Sequence, residues 1–265
     1  MIRKPNNPRA FAETISLDAW RAKFDSEKGD ADLHVDVSFH KGRVGGPGIP
    51  VRFRLSLRRA EVHVRLDQAG ILRIPPSSVR RAPLPSAEIS RESELHQDFG
   101  VGAGIFASGD GVAGKITANA ASSVQSTEVF KETTVAASMK VSHKKTEEGY
   151  AFALEPIGGR RILIGQPWHA SETLLSVRDT KHLRQRGEPP EPIIEIQCRR
   201  EDLSIEDVQF ANEKKYNWRN LTRNKQIAVE QYLKEELGRA GFFCGDVSDP
   251  FSCFVLSDAI PMVDE

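Results

Sequence analysis

The feature that most constrains this chain is a strict two-residue alternation that recurs along it. In LHVDVSFH, Leu33, Val35, Val37 and Phe39 alternate with His34, Asp36, Ser38 and His40. Successive side chains of a strand point to opposite faces, so this pattern predicts a strand with one face in a core and one in water. VRFRLSLRR repeats it, with Val51, Phe53, Leu55 and Leu57 set against Arg52, Arg54, Ser56 and Arg58. In AEVHVRLD the apolar set moves to the even positions Val62, Val64 and Leu66, which predicts a turn or bulge near Arg59-Ala60. TTVAASMKVSH, GYAFALEP, RRILIG, TLLSVRD, IIEIQCR and DLSIEDVQF read as further strands, and the tail after residue 241 could add a last one. Short strands at this spacing, broken by turn signals, predict a mainly β fold: an antiparallel β-sandwich with a long Gly/Ala-rich hairpin and a C-terminal helix.

Two segments read as helical. Over residues 16–27, Ser16 is a cap candidate and Leu17, Trp20 and Phe24 share one helical face. Near 222–240, Val229, Tyr232, Leu233, Leu237 and Ala240 lie on one face of a 3.6-residue period. Thr222 is the cap candidate, Glu230 and Lys234 an i, i+4 pair, and Gly241 the stop. The domain reading is an N-terminal helical or irregular arm (1–30), a β-sandwich body (31–180) that includes hairpin 99–126, and a helix-bearing C-terminal portion (191–265) packed on the body. The basic, proline-bearing 178–192 reads as an exposed connection.

Composition narrows the function classes. Lys+Arg and Asp+Glu both number 37, so no global field draws the chain to nucleic acid or an anionic membrane. The N-terminal residues show no secretory apolar run and nothing approaches a membrane helix, so the expectation is a cytoplasmic protein. Cys198, Cys244 and Cys253 have no metal-ligand spacing and read as reduced, buried thiols.

The stretch FGVGAGIFASGDGVAGKITANAASSVQS (99–126) admits two readings. Gly109 to Gly114 satisfies G-x-G-x-x-G and Lys115 follows, which suggests a phosphate loop. No buried strand precedes it, no βα unit follows, and Ile116 stands where a magnesium-binding hydroxyl belongs. As a hairpin, Asp110-Gly111 supplies a favoured two-residue turn. Ile105 then faces Ile116, Ala103 faces Ala118 and Val101 faces Ala120, all on one apolar face, and Val112 and Val124 fall on the same side. Turn and register agree, so the hairpin is preferred.

His34, Asp36 and His40 share a strand face and, with His63 on a neighbouring strand, could hold a metal. Arg52, Arg54, Arg58 and Arg65 on that face would oppose one, so a solvated sheet face is preferred. KKYNWRNLTRNK, with Lys214, Lys215, Arg219, Arg223 and Lys225 around Tyr216 and Trp218, has a composition suited to single-stranded nucleic acid, but it leads into a helix. No catalytic, cofactor or metal site is assigned. The functional expectation is a non-enzymatic module that interacts with itself or another protein through Val101, Ile105, Val112, Ile116, Ala118, Ala120 and Val124, with Asp110 and Gly111 as the turn. The alternatives are a β-pore-forming effector that puts the same hairpin into a membrane, and a nucleotide-dependent enzyme.

Overall fold

The computed structural model describes residues 9–25, 27–46, 49, 51–66, 72–80, 86–90, 133–136, 139–179, 191–210 and 221–264. The alternating segments form sheets whose buried faces meet. One five-stranded sheet runs in the order β15 (Met262–Val263), β1 (Ile15–Arg21), β2 (Asp30–Phe39), β11 (Thr173–Asp179), β6 (Leu72–Arg73). A second runs β14 (Cys253–Ala259), β12 (Pro192–Arg199), β5 (Ala60–Leu66), β10 (Gly149–Pro156), β9 (Met139–Lys145). A three-stranded sheet has β13 (Leu203–Phe210), β4 (Val51–Leu57) and β3 (Gly42–Val44), and β7 (Ser86–Ser90) pairs with β8 (Thr133–Ala136) in a two-stranded sheet of their own. Pairing is antiparallel except where β15 runs parallel to β1. The fold is a mainly β, sandwich-like packing of sheets with one long helix near the C-terminus.

The core is what the alternation demands. Leu17, Leu33, Val35, Val37 and Phe39 of the first sheet and Val62, Val64, Phe152, Leu154, Ile194, Ile196, Phe254 and Leu256 of the second belong to one buried cluster. Each such side chain contributes roughly 1.5–3 kcal/mol when fully buried. Trp168, on the loop before β11, ties the layers together. Its Nε1–H donates to the Val35 carbonyl at 2.6 Å, and its ring meets Phe152 edge-on at 6.0 Å. The parity change at Arg59-Ala60 marks a strand leaving one sheet for another: β4 ends at Leu57 in the third sheet and β5 starts at Ala60 in the second.

Two sequence expectations are corrected. Residues 16–27 are not helical, because Ile15–Arg21 is an interior strand of the first sheet, paired with β2 from Ile15↔Phe39 to Arg21↔Leu33. Ile15, Leu17, Ala19 and Arg21 point inward, and with Arg21 on the apolar face the period of two is hidden. RRILIG is not a strand either. Leu163 plugs the core through one backbone bond to Leu57, and Gly165 forms an isolated bridge with Phe39.

The helix α1 (Leu221–Arg239) packs against the third sheet. Val229, Leu233 and Leu237 are buried, and the Tyr232 ring stands edge-on to Phe53 at 5.7 Å. Thr222 lies inside the helix and is not its cap. The C-terminus closes as the sequence suggests. Gly241 takes φ +85°, its N–H bonds the Gly238 carbonyl, and the Phe242 N–H reaches back to Leu237. Glu230 accepts from Gln226 on its own helix.

Leu233 is fully buried between helix and sheet. Leu233→Ala is expected to destabilise by ~2–5 kcal/mol through lost transfer energy and the cavity left behind. A thermal melt or denaturant titration checks it, and Ile227→Ala on the exposed side of the same helix should change little.

Candidate functional site

The residues assigned to the hairpin face (Val101, Ile105, Val112, Ile116, Ala118, Ala120, Val124) and its turn (Asp110, Gly111) lie outside the described residues, as does the Gly109–Lys115 phosphate-loop pattern. The described residues do show how the chain departs toward this segment and returns. After β6, the Ser78 hydroxyl donates to the Ser176 carbonyl and accepts from the Ser176 N–H, both at 3.2 Å. The Arg80 N–H donates to the Leu174 carbonyl, and its guanidinium pairs with Glu172 at 3.0 Å. The departing arm is thus rooted in the edge of the first sheet. The returning arm continues into β9, the edge of the second sheet, where Met139 is buried. Beyond these roots β7 and β8 pair antiparallel, with Glu88 opposite Val135, Ile89 opposite Thr134 and Ser90 opposite Thr133.

The densest polar arrangement among the described residues covers the outer face of the second sheet. Register places Asp258 opposite Glu195, Glu195 opposite His63, and Gln197 opposite Glu61. His63 Nε2 lies 2.9 Å from Glu61, whose other oxygen meets Lys144 at 3.0 Å. Burial pushes the Glu61 carboxyl up, but Lys144 and His63 together hold it below its ordinary value. Arg65 bridges Glu148 and the buried Glu195, each at 2.6 Å, and both raise its already high pKa. Gln197 donates to the second Glu195 oxygen at 2.7 Å. Asp258 is the outlier, because its Oδ1 is buried with no hydrogen-bond partner. Burial, and then the neighbouring Glu195 carboxylate, raise its pKa.

Beside this network lies an open groove of about 600 Å³ lined by Arg59, Glu61, Lys144, Gln197, Arg199 and Cys253, among others. The Cys253 thiol donates weakly to Gln197 at 3.6 Å. Burial raises its pKa, which disfavours the thiolate a nucleophile needs. The groove can hold charges of both signs.

The proposed histidine cluster is not brought together. His34 stacks on Trp20 in the first sheet, with ring centroids 5.6 Å apart, whereas His63 belongs to the second sheet. Asp36 accepts from Gln166, and His40 lies 3.2 Å from the Ser38 hydroxyl. Arg52 and Arg54 lie in the third sheet and do not face Asp36. Among the described residues no group of three His, Cys, Asp or Glu could hold a metal. All three cysteines are free, but only Cys198 is buried; Cys244 is partly exposed and Cys253 exposed. Lys214, Lys215, Tyr216, Trp218 and Arg219 lie outside the described residues, and most of the 178–192 connection does too. Arg223 and Lys225 are on α1. Among the described residues no helix is long and apolar enough to cross a membrane.

The sequence reading missed two residues. Trp168, which no local pattern singles out, bonds one sheet and packs on the other. Arg21 is a buried guanidinium, donating to the Ala22 carbonyl and lying over the Phe24 ring at 4.8 Å. Its place on an apolar strand face was the available signal. No protein-family model matches the chain, and no curated protein matches it.

Asp258 supplies a pH test. A carboxyl whose folded-state pKa lies above its unfolded value binds its proton more tightly when folded, so stability falls as pH rises through that window. The penalty is fully present above the folded-state value. Asp258→Asn is therefore expected to melt higher than the native chain at pH 7, with the gain shrinking toward zero below the ordinary aspartate value of about 3.9. Melting curves from pH 3 to 8 check the sign. A variant less stable at pH 7 would contradict the burial argument.

Proposed function

We propose that this protein is a non-enzymatic interaction or self-assembly module that acts through a long two-stranded ribbon containing residues 99–126, with itself or another protein as partner. One observation supports this reading above the others. The chain runs toward residues 99–126 through β7 and comes back from them through β8, two strands that pair antiparallel between the edge strand β6 of the first sheet and the edge strand β9 of the second.

The β7–β8 pairing also bears on the face assignment. Continued without a bulge from Ser90↔Thr133, that register would put Ile105 opposite Ala118 and the turn at Gly111-Val112. The Asp110-Gly111 turn would instead put Ile105 opposite Ile116. The two registers differ by two residues, and a two-residue shift leaves every side chain on its own face. Both therefore keep Val101, Ile105, Ile116, Ala118, Ala120 and Val124 together. A ribbon of small residues buries little area by itself, and an isolated two-stranded hairpin is marginal in water. Such a ribbon is best stabilised by a second surface.

Cysteines introduced in pairs test the faces. Position 105 is expected to cross-link to 116 or to 118, which also identifies the turn, and not to 117. A dominant 105–117 bridge would overturn the assignment. Replacing 99–126 with a short Gly-Ser linker is expected to leave the melting temperature of the body within a few degrees while removing association in sedimentation. Leakage of vesicles by the full chain, lost in Ile116→Asp, would make the partner a membrane. A rise in melting temperature with ATP that requires Lys115 would replace this reading with the nucleotide enzyme.

A further inference from the structure

An edge strand left open is a template for another chain, so natural proteins close or guard their sheet edges. Among the described residues the three larger sheets do so in several ways. β3, β6 and β15 are only two or three residues long. β13 carries a bulge between Glu206 and Gln209, with Asp207 at φ +53°. β14 is bridged from Ser257 to Arg9, and its Leu256 carbonyl accepts from the Ala10 N–H. β9 has none of these protections. It is seven residues long, ends the second sheet, and pairs with β10 in unbroken register from Lys145↔Tyr150 to Met139↔Pro156.

The turn into β10 shows which backbone groups that edge presents. The Thr146 N–H donates to the Gly149 carbonyl, so Lys140, Ser142 and Lys144 exchange bonds with β10. The N–H and C=O groups of Met139, Val141, His143 and Lys145 point away from the sheet. Among the described residues no backbone bond reaches them.

Lysine is a usual guard of such an edge, and β9 has three. Two are turned away from it. Lys144 reaches back across β10 to Glu61 on β5 at 3.0 Å, and Lys140 leans toward Glu155 on β10 at 3.8 Å. The His143 ring also lies toward β10, with centroids 6.4 Å from Tyr150 and 6.0 Å from Phe152. The edge therefore offers its main chain, while the side chains that would select a foreign sequence are engaged at home.

We infer that β9 pairs antiparallel with β9 of a second copy of this chain, joining the two second sheets into one. A two-fold axis makes such a strand its own complement. An axis through Ser142 uses the whole strand and sets Val141 opposite His143 and Met139 opposite Lys145, with the outward groups bonded to one another. Lys140 falls opposite Lys144 of the second copy, and the repulsion is tempered because each already has its own carboxylate. The second copy is favoured over a foreign strand because main-chain bonds carry no sequence preference and the other long edges of the second copy are closed. The contact needs nothing from residues 99–126 and stands apart from the ribbon reading.

Residue-resolved amide exchange on the full chain tests this without a variant. The Val141 and His143 amides are expected to exchange fast in dilute protein and to become protected as concentration rises. Those of Ser142 and Lys144, bonded to β10, should be protected throughout. Protection of Val141 and His143 that persists on dilution would mean that the same chain covers its own edge, and would overturn the inference. So would fast exchange at high concentration. His143→Pro removes one outward N–H and no bond to β10. It is expected to sediment as a monomer with an unchanged circular dichroism spectrum, under conditions where the native chain is dimeric. Ser142→Cys, in a chain with Cys244→Ser and Cys253→Ser, should form an interchain disulfide under mild oxidation, since the Cα atoms of such a pair lie about 4.5 Å apart. A dimer that does not cross-link there would overturn the inference. The Gly-Ser replacement of 99–126 separates this contact from the ribbon. Association lost on replacement but kept in His143→Pro belongs to the ribbon and sinks this inference. Association kept on replacement and lost in His143→Pro is β9 pairing, and removes self-association from the ribbon reading.

Discussion

The fold depends on one apolar layer shared by two sheets, and Trp168 shows how that layer is fixed. Opposing alternating faces could slide by two residues and still bury apolar side chains. A buried indole N–H that must find an acceptor removes much of this freedom. It bonds one carbonyl, Val35, while its ring is set against one partner, Phe152, in the opposite sheet. From that lock follows the position of the loop that delivers Leu163 to the core and Gly165 to Phe39. The edge strands β6 and β9, from which the chain departs and to which it returns, are placed by the same two sheets.

How legible this was from sequence varies with the side chains concerned. β2, β4 and β5 were readable because nearly every inward position is Val, Leu or Phe and every outward one is charged or polar. The change of parity between β4 and β5 was readable as an interruption, but not as a change of sheet, because alternation reports a face and not the neighbour it meets. β1 was misread because Leu17, Trp20 and Phe24 satisfy a helical period and Arg21 breaks the two-residue one. Tertiary pairing with β2 decided the matter, as it commonly does for short ambiguous segments. The helix α1 was legible to its last turn because its buried stripe and its glycine stop are both local signals.

The polar sites were less legible for a physical reason. Charged residues at alternate positions show only that a face meets water. Which charges meet depends on sheet order, and no local pattern encodes it. His34 and His63 seemed candidates for one cluster until the sheets separated them, whereas Asp258, Glu195 and His63 come from three distant segments and are joined only by register. The opposition of Arg43 to Arg54 across β3–β4 and of Asp18 to Asp36 across β1–β2 is of the same kind.

Charge on the three outer sheet faces is met locally to a large extent. On the outer face of the second sheet, Arg65, Lys144, His63 and Gln197 answer Glu148, Glu61 and Glu195 within hydrogen-bonding distance. That face is largely complete in itself, with Asp258 its one strained member. The outer faces of the first and third sheets set Asp18 opposite Asp36 and Arg43 opposite Arg54, while Arg178 answers Asp30 and Asp207 answers Arg54. Exposed ion pairs add little stability, so the completed face is no stronger a fold determinant than the other two. A face whose charges are already paired offers a partner little, because a partner's charges must compete with those in place. If the ribbon proposed above carries association, its partner meets strands that leave the edges of the first and second sheets rather than the groove beside Cys253.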